Sequence, residues 1–211
     1  MMIQLIAHRG FWLEPAEKNT EVAFSRALQH GFGIETDFRD CDGQLVVSHD
    51  VPKRGAMTAA AFAELFKSCP ASAPMALNVK ADGLQQLMAD FIAASGISDG
   101  FVFDMAVPDM RAYLSSGIPV FTRLSEFETL PALLDRSAGV WLDAFESEWY
   151  DDVLIRALLE NGKRVAIVSP ELHHRPHEAL WRFLKDKQLH RSAAVSICTD
   201  LPMDAREYFH A

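Results

Sequence analysis

Glu35 and Asp37 stand two residues apart in the run Ile34 to Phe38, and His49 follows twelve residues after Asp37, near the end of Leu45 to Asp50. On a strand, side chains at i and i+2 share a face, so the two carboxylates would project together where oxygen ligands hold a hard cation. Earlier, an apolar run from Ile3 to Ala7 ends in His8-Arg9-Gly10, which sets a proton-transfer group beside a fixed positive charge. Carboxylates, histidines and an arginine in this arrangement point to metal-assisted chemistry on a phosphate ester.

Those groups need a scaffold, and the composition supplies material for one. The chain has 211 residues, 49% of them apolar, which predicts one globular domain over residues 1–211. The opening MMIQLIAHRG has no basic stretch ahead of its short apolar run, and no later run approaches the roughly 18 apolar residues of a membrane span. A cytoplasmic protein without stable membrane insertion is expected. Cys41, Cys69 and Cys198 show no CxxC spacing and are expected to be reduced packing residues. With 29 acidic residues against 20 Lys and Arg, the net charge is −9, which argues against nucleic-acid binding. An anionic substrate would have to be drawn in by local cations.

Short β-type runs alternate with longer helical ones, the pattern of repeated βα units. Eight strands are predicted at Gln4–Ala7, Gly33–Phe38, Met75–Lys80, Phe101–Asp104, Val120–Thr122, Val140–Ala144, Val165–Ser169 and Val195–Thr199. Helices are predicted at Glu21–Gln29, Ala59–Ser68, Leu84–Ala94, Pro108–Ser115, Leu130–Arg136, Asp151–Asn161, His177–Lys187 and Met203–Phe209. Cys41-Asp42-Gly43-Gln44 suggests a turn that returns the chain through Leu45 to Asp50 as a short hairpin. The alternation predicts a compact α/β fold, a (β/α)8 TIM barrel, with an open doubly wound sheet as the alternative. Polar residues gather after the strand ends, at His8, Arg9, Asn78, Lys80, Asp104, Arg123, Glu126, Asp143, Glu171, His173 and Asp200, where this fold carries its chemistry.

The residues His8-Arg9-Gly10, Glu17-Lys18-Asn19-Thr20, Glu35-Thr36-Asp37, Asp42-Gly43 with Val46-Val47-Ser48-His49-Asp50, and Thr199-Asp200-Leu201-Pro202 occur in order along the chain. This series resembles the pattern HRG, PENT, ExD, DGxxVVxHD, ExK and TDxP of the glycerophosphodiester phosphodiesterase family, metal-dependent barrels of the PLC-like phosphodiesterase type. Two positions depart from it. PENT becomes EKNT, keeping Asn19 and Thr20 as a helix-start signal, and ExK becomes Asn78-Val79-Lys80, with an amide where the family has a third carboxylate. Such departures mark a divergent subgroup.

The resemblance implies that His8 and His49 serve as general acid and base, that Arg9 and Lys80 hold the phosphate, and that Glu35, Asp37 and Asn78 hold one divalent cation, Mg2+ or Ca2+. The substrate would be a small phosphodiester. Cleaving one requires an activated hydroxyl, a protonated leaving oxygen and neutralised charge on the non-bridging oxygens. Either water or a neighbouring substrate hydroxyl could attack, the latter through a cyclic phosphate as in a phospholipase D-like barrel. A barrel that binds a phosphorylated ligand without turnover is the alternative of another class, motivated by Asn78.

Each candidate also has a plainer reading. Glu35 and Asp37 could be a solvent-facing pair, and Asn78 and Lys80 a bonded amide and a snorkelling lysine. Asp104 and Asp143 are candidate substrate contacts that could instead orient a histidine, reach a metal through water or cap a helix. Arg123 and Glu126 are either a second phosphate or hydroxyl contact or an ordinary ion pair. His173, His174 and His177, beside Pro176, suggest a structural or headgroup-contacting role rather than a second metal.

Overall fold

The computed structural model describes residues 2–69 and 74–210. The chain runs β1 (Gln4–His8), α1 (Glu21–Gln29), β2 (Gly33–Cys41), β3 (Gln44–Val47), α2 (Ala59–Ser68), β4 (Met75–Val79), α3 (Gln85–Ser95), β5 (Gly100–Phe103), α4 (Val107–Ser116), β6 (Phe121–Leu124), β7 (Gly139–Leu142), α5 (Asp152–Glu160), β8 (Arg164–Val168), α6 (Glu178–Asp186), β9 (Val195–Thr199) and α7 (Pro202–His210). All eight predicted barrel strands form. Their order is β5-β4-β2-β1-β9-β8-β7-β6, and β3 folds back antiparallel on β2 as the expected hairpin. A parallel bridge between Val102 and Val120 joins the two ends, so the sheet closes into a (β/α)8 barrel.

Period-2 alternation divides the apolar residues between two cores. Ile34, Phe38, Leu77, Val102, Val140 and Ile167 face the helices in the larger one. The smaller core fills the barrel itself, with Ile6, Ala76, Ala166 and Cys198 opposite Phe101, Phe103, Phe121 and Trp141. The aromatic half is tightly stacked, with ring centroids 3.7 Å apart for Phe101 and Phe121 and 3.9 Å for Phe103 and Trp141. The barrel is thus plugged by rings on the β5–β7 side, while its β1, β2 and β4 side is lined by smaller residues.

The helices cover the outside with amphipathic faces, α5 burying Ile155 and Leu158 and α6 burying Leu180, Trp181 and Leu184. Their ends obey local rules. Thr58 accepts a hydrogen bond from the Ala61 amide and Asp151 from the Leu154 amide at N-caps, and Gly96 and Gly117 end α3 and α4 in the left-handed region. One predicted helix does not form: Leu130–Arg136 is a series of turns between β6 and β7. Pro131 follows an exposed Leu130, and Leu133 takes φ +52°, which breaks the helical path. Among the described residues no helix is long and apolar enough to cross a membrane.

Candidate active site

The inward positions at the C-terminal strand ends carry the polar residues, and they enclose a cavity of about 310 Å³. His8, Arg9, Glu35, His49, Asn78 and Lys80 line one side of it. The parallel register explains the convergence: His8 pairs with Glu35 across β1 and β2, and Asp37 with Asn78 across β2 and β4. Paired residues on neighbouring parallel strands project to one face.

His8 ends β1, with Nδ1 2.7 Å from Asp200 Oδ1 and Nε2 3.9 Å from Glu35 Oε2. Asp200 follows β9, the strand beside β1, and also lies 3.5 Å from Lys18 Nζ. Burial raises the Asp200 carboxyl, but the hydrogen bond and charge of His8 and the nearby Lys18 outweigh it, and the net effect lowers it below the ordinary aspartate value. Glu171 accepts from the Asp200 amide at 3.1 Å and from the Thr199 hydroxyl, so the loop that carries the histidine's partner is itself braced.

Glu35 and Asp37 are 2% and 1% exposed, which removes the solvent-facing alternative. Burial, with the adjoining Asp37 carboxylate, pushes the Glu35 carboxyl up to about 7 against the opposing pull of His8, Asn78 and Lys80. Asn78 Nδ2 donates to Glu35 Oε1 at 3.1 Å, and Asn78 Oδ1 is buried with no partner among the described residues. Asp37 does not line the cavity directly. It sits behind Arg9 and Lys80, whose Nε and Nζ lie 3.2 and 3.7 Å from its oxygens, and it accepts from Asn19 Nδ2 at 2.8 Å. Arg9, Asn19 and Asp104 all hold positive φ, at 57°, 59° and 73°. Left-handed backbone in non-glycine residues costs on the order of 1 kcal/mol or more each, and here it falls on groups that touch the cluster.

Lys80 Nζ donates to Asp104 Oδ2 at 2.8 Å, and Arg123 bridges Asp104 Oδ1 and Glu128 Oε1 at 2.9 and 2.8 Å. Asp143 and His173 complete the ring of polar groups, joined at 2.7 Å. Asp143 is thus paired with a histidine, and no helix begins beside it. Glu126 is not brought to the cavity: its Oε1 accepts from the Glu146 amide at 2.7 Å, so it ties two loops together. Glu128 stands where Glu126 was expected, because the Ser125 hydroxyl accepts from the Phe127 and Glu128 amides and turns the chain back toward Arg123. His49 lines the cavity from the loop after β3, yet its side chain is 45% exposed and its Nδ1 partner is the neighbouring, exposed Asp50.

Three contributors had no individual role assigned from the sequence, and a fourth had a different one. Asp200, Glu171 and Glu128 pair across long separations or within a loop turn, which periodicity does not register. Asn19, expected only as a helix-start residue, braces Asp37 while accepting from the Thr36 hydroxyl, and Thr20 makes no side-chain cap bond. The EKNT segment thus serves the acid pair as well as the helix.

No protein-family model matches the sequence, and no curated protein matches it. Solved structures do. A protein of Galdieria sulphuraria, provisionally described as a glycerophosphodiester phosphodiesterase, superposes with TM-score 0.77 at 16% identity, over 100% of this chain and 99% of that one. A glycerophosphodiester phosphodiesterase of Agrobacterium tumefaciens superposes with TM-score 0.69 at 18% identity over 100% of both chains. The chain folds as the glycerophosphodiester phosphodiesterases fold. A phosphoribosyl anthranilate isomerase of Thermus thermophilus gives TM-score 0.54 over 99% of the chain, so the barrel by itself does not choose a reaction. On this glycerophosphodiester phosphodiesterase-like barrel the choice lies with the residues at its mouth.

Proposed function

We propose that the chain is a phosphodiesterase that hydrolyses a small glycerophosphodiester-like substrate to an alcohol and a phosphomonoester. The observation that carries this reading is the convergence of a carboxylate-held histidine, His8, with Arg9 and Lys80 on one cavity beside a buried acid pair. Because Asp200 engages Nδ1, His8 has Nε2 free to move a proton at the reacting oxygen. Arg9 offers a planar fork and Lys80 a point charge to the non-bridging oxygens. Both already face carboxylates, so an arriving phosphate competes with Asp37 and Asp104 for them.

A divalent cation, Mg2+ or Ca2+, belongs to the same proposal. Among the described residues no group of three or more His, Cys, Asp or Glu side chains is disposed to hold a metal. With the Asn78 amide included, the donors facing the cavity are the Glu35 carboxylate and a carbonyl oxygen that has no partner among the described residues, both hard ligands. They fit such an ion, Asp37 would join them by giving up its contacts with Arg9 and Lys80, and Glu35, whose ionised form is penalised by burial, would gain a counter-charge. When bound, the ion would supply Lewis-acid neutralisation of the phosphate oxygens. The three free cysteines suit a reducing, cytoplasmic setting.

The test is an assay of the purified chain on glycerophosphodiesters and bis(p-nitrophenyl) phosphate with added Mg2+ or Ca2+. Turnover that a chelator stops and the ion restores is expected. Absence of turnover on every ester with either ion present would defeat the proposal.

A further inference from the structure

The two sides of the cavity differ. Arg9, Glu35 and Lys80 line its β1, β2 and β4 side, whereas the β5–β7 side sets the rings of Phe103, Trp141 and Phe145 among Asp104, Arg123 and Glu128, which are already paired with one another. A phosphodiester seated with its phosphate on Arg9 and Lys80 would direct one of its alcohol groups over the rings. His173 stands on that ring side. It closes a 3-10 turn, Pro170–His173, after β8, its ring centroid lies 4.8 Å from that of Phe145, and it lines the cavity.

His173 is held as firmly as His8. Its Nε2 is 2.7 Å from Oδ1 of Asp143, a residue only 9% exposed, and the same oxygen accepts from the Ala144 amide at 2.8 Å. The Asp143 backbone is fixed in turn, its carbonyl accepting from Trp149 Nε1 at 2.8 Å and its amide donating to the Leu124 carbonyl at 2.9 Å. With Nε2 spent on the carboxylate, Nδ1 is the free nitrogen, and among the described residues it has no hydrogen-bond partner. The turn that carries His173 also carries Glu171, which braces Asp200 behind His8. One short segment thus fixes two histidine–carboxylate pairs at one cavity. His49 has neither burial nor a buried partner.

We propose that His173 is a catalytic residue of the hydrolysis described above, protonating the leaving alcohol, with Asp143 as its positioning residue. This inference rests on the phosphodiesterase reading. The oxygen of water forms the new bond to phosphorus, and the proton it gives up passes to His8. The bond from phosphorus to the alcohol oxygen breaks with its electron pair on that oxygen, which takes the proton from Nδ1 of the His173 imidazolium. Passage of one proton from His8 to His173 through solvent restores the starting state, and the net reaction is diester plus water to monoester plus alcohol.

The experiment compares leaving groups. An alkyl alcohol must be protonated as it departs, whereas p-nitrophenolate departs unaided. The parent, His173→Gln, Asp143→Asn and His49→Gln are assayed on a glycerophosphodiester and on bis(p-nitrophenyl) phosphate. For His173→Gln, kcat on the alkyl ester is expected to fall about 10²–10³-fold, with a loss on the aryl ester smaller by at least about tenfold. Asp143→Asn follows the same direction with a smaller loss, and His49→Gln shows no leaving-group preference. Equal losses on both esters, or a change confined to KM, would overturn the role of His173 while leaving the phosphodiesterase reading intact. A parent inactive on both esters defeats that reading and this inference with it. If His173→Gln fails to fold, judged by circular dichroism, Asp143→Asn decides by the same comparison.

Discussion

At the scale of the residue, the proposed chemistry depends on which side chains are held and by what. His8 has its Nδ1 fixed by Asp200, so His8→Ala should lower kcat by about 10²–10⁴-fold while leaving the thermal midpoint near that of the parent. Steady-state kinetics beside a melting curve checks this, and a near-parental rate would remove His8 from the mechanism. Asn78 poses a different question, since its carbonyl oxygen is buried beside Glu35 and Asp37 with no partner among the described residues. Asn78→Glu supplies a third carboxylate and should tighten Mg2+ or Ca2+ binding on the order of tenfold, with Asp37→Ala weakening it by at least as much. Calorimetric titration reads both, and unchanged affinity in Asp37→Ala would take the cation away from this cluster. Glu126 shows how residue identity can be legible while residue placement is not. A two-residue difference inside a loop leaves no periodic trace, and the Ser125 turn gives the cavity Glu128 instead.

At the scale of the element, four strands end by exchanging an apolar inward residue for a polar one: Ile6 gives way to His8, Phe121 to Arg123, Trp141 to Asp143 and Cys198 to Asp200. Buried parallel strands are short apolar runs, and this made all eight legible in the sequence. The segment from Leu130 to Arg136 deceived because its leucines mimic a helical face, while Pro131 and the positive φ of Leu133 hold it in turns. Gly10 illustrates an element-level constraint inside a chemical motif. A Cβ there would lie 2.8 Å from the Ala23 backbone carbon, and its φ is +86°. Gly10→Ala should therefore destabilise the fold by more than about 1 kcal/mol, since both the packing of α1 and the left-handed turn oppose a side chain. Urea unfolding checks it. The β9 loop adds a pH term. The Asp200 carboxyl is held below its ordinary 3.8 in the folded chain, so the folded state binds fewer protons there than the unfolded one. Its contribution is fully present above the unfolded value and is lost as pH falls through the folded one. Asp200→Asn should flatten the fall in stability below about pH 4, measured by denaturant unfolding across that range.

At the scale of the whole molecule, the barrel is closed unevenly. β1 pairs with β9 over four residues, whereas β5 and β6 meet through the Val102–Val120 bridge and the bond from the Val102 amide to the Pro119 carbonyl. The β5–β6 seam should be the first part of the barrel to open, so its amides should exchange with solvent at least about tenfold faster than those of β1 and β9. The same view explains what the sequence could and could not convey about the site. His8 and Asp200 are 192 residues apart and meet only because the last strand lies beside the first. The motifs carried the residue types, but closure of the barrel makes the pairs. Cleavage of a phosphodiester by these side chains is read most directly in a phosphorus NMR time course of a glycerophosphodiester with the intact chain and Mg2+ or Ca2+. The diester signal is expected to be replaced by a single phosphomonoester signal, and His8→Ala to slow this by about 10²-fold or more. A diester signal that persists unchanged with the parent protein, or that disappears equally fast with His8→Ala, would contradict it.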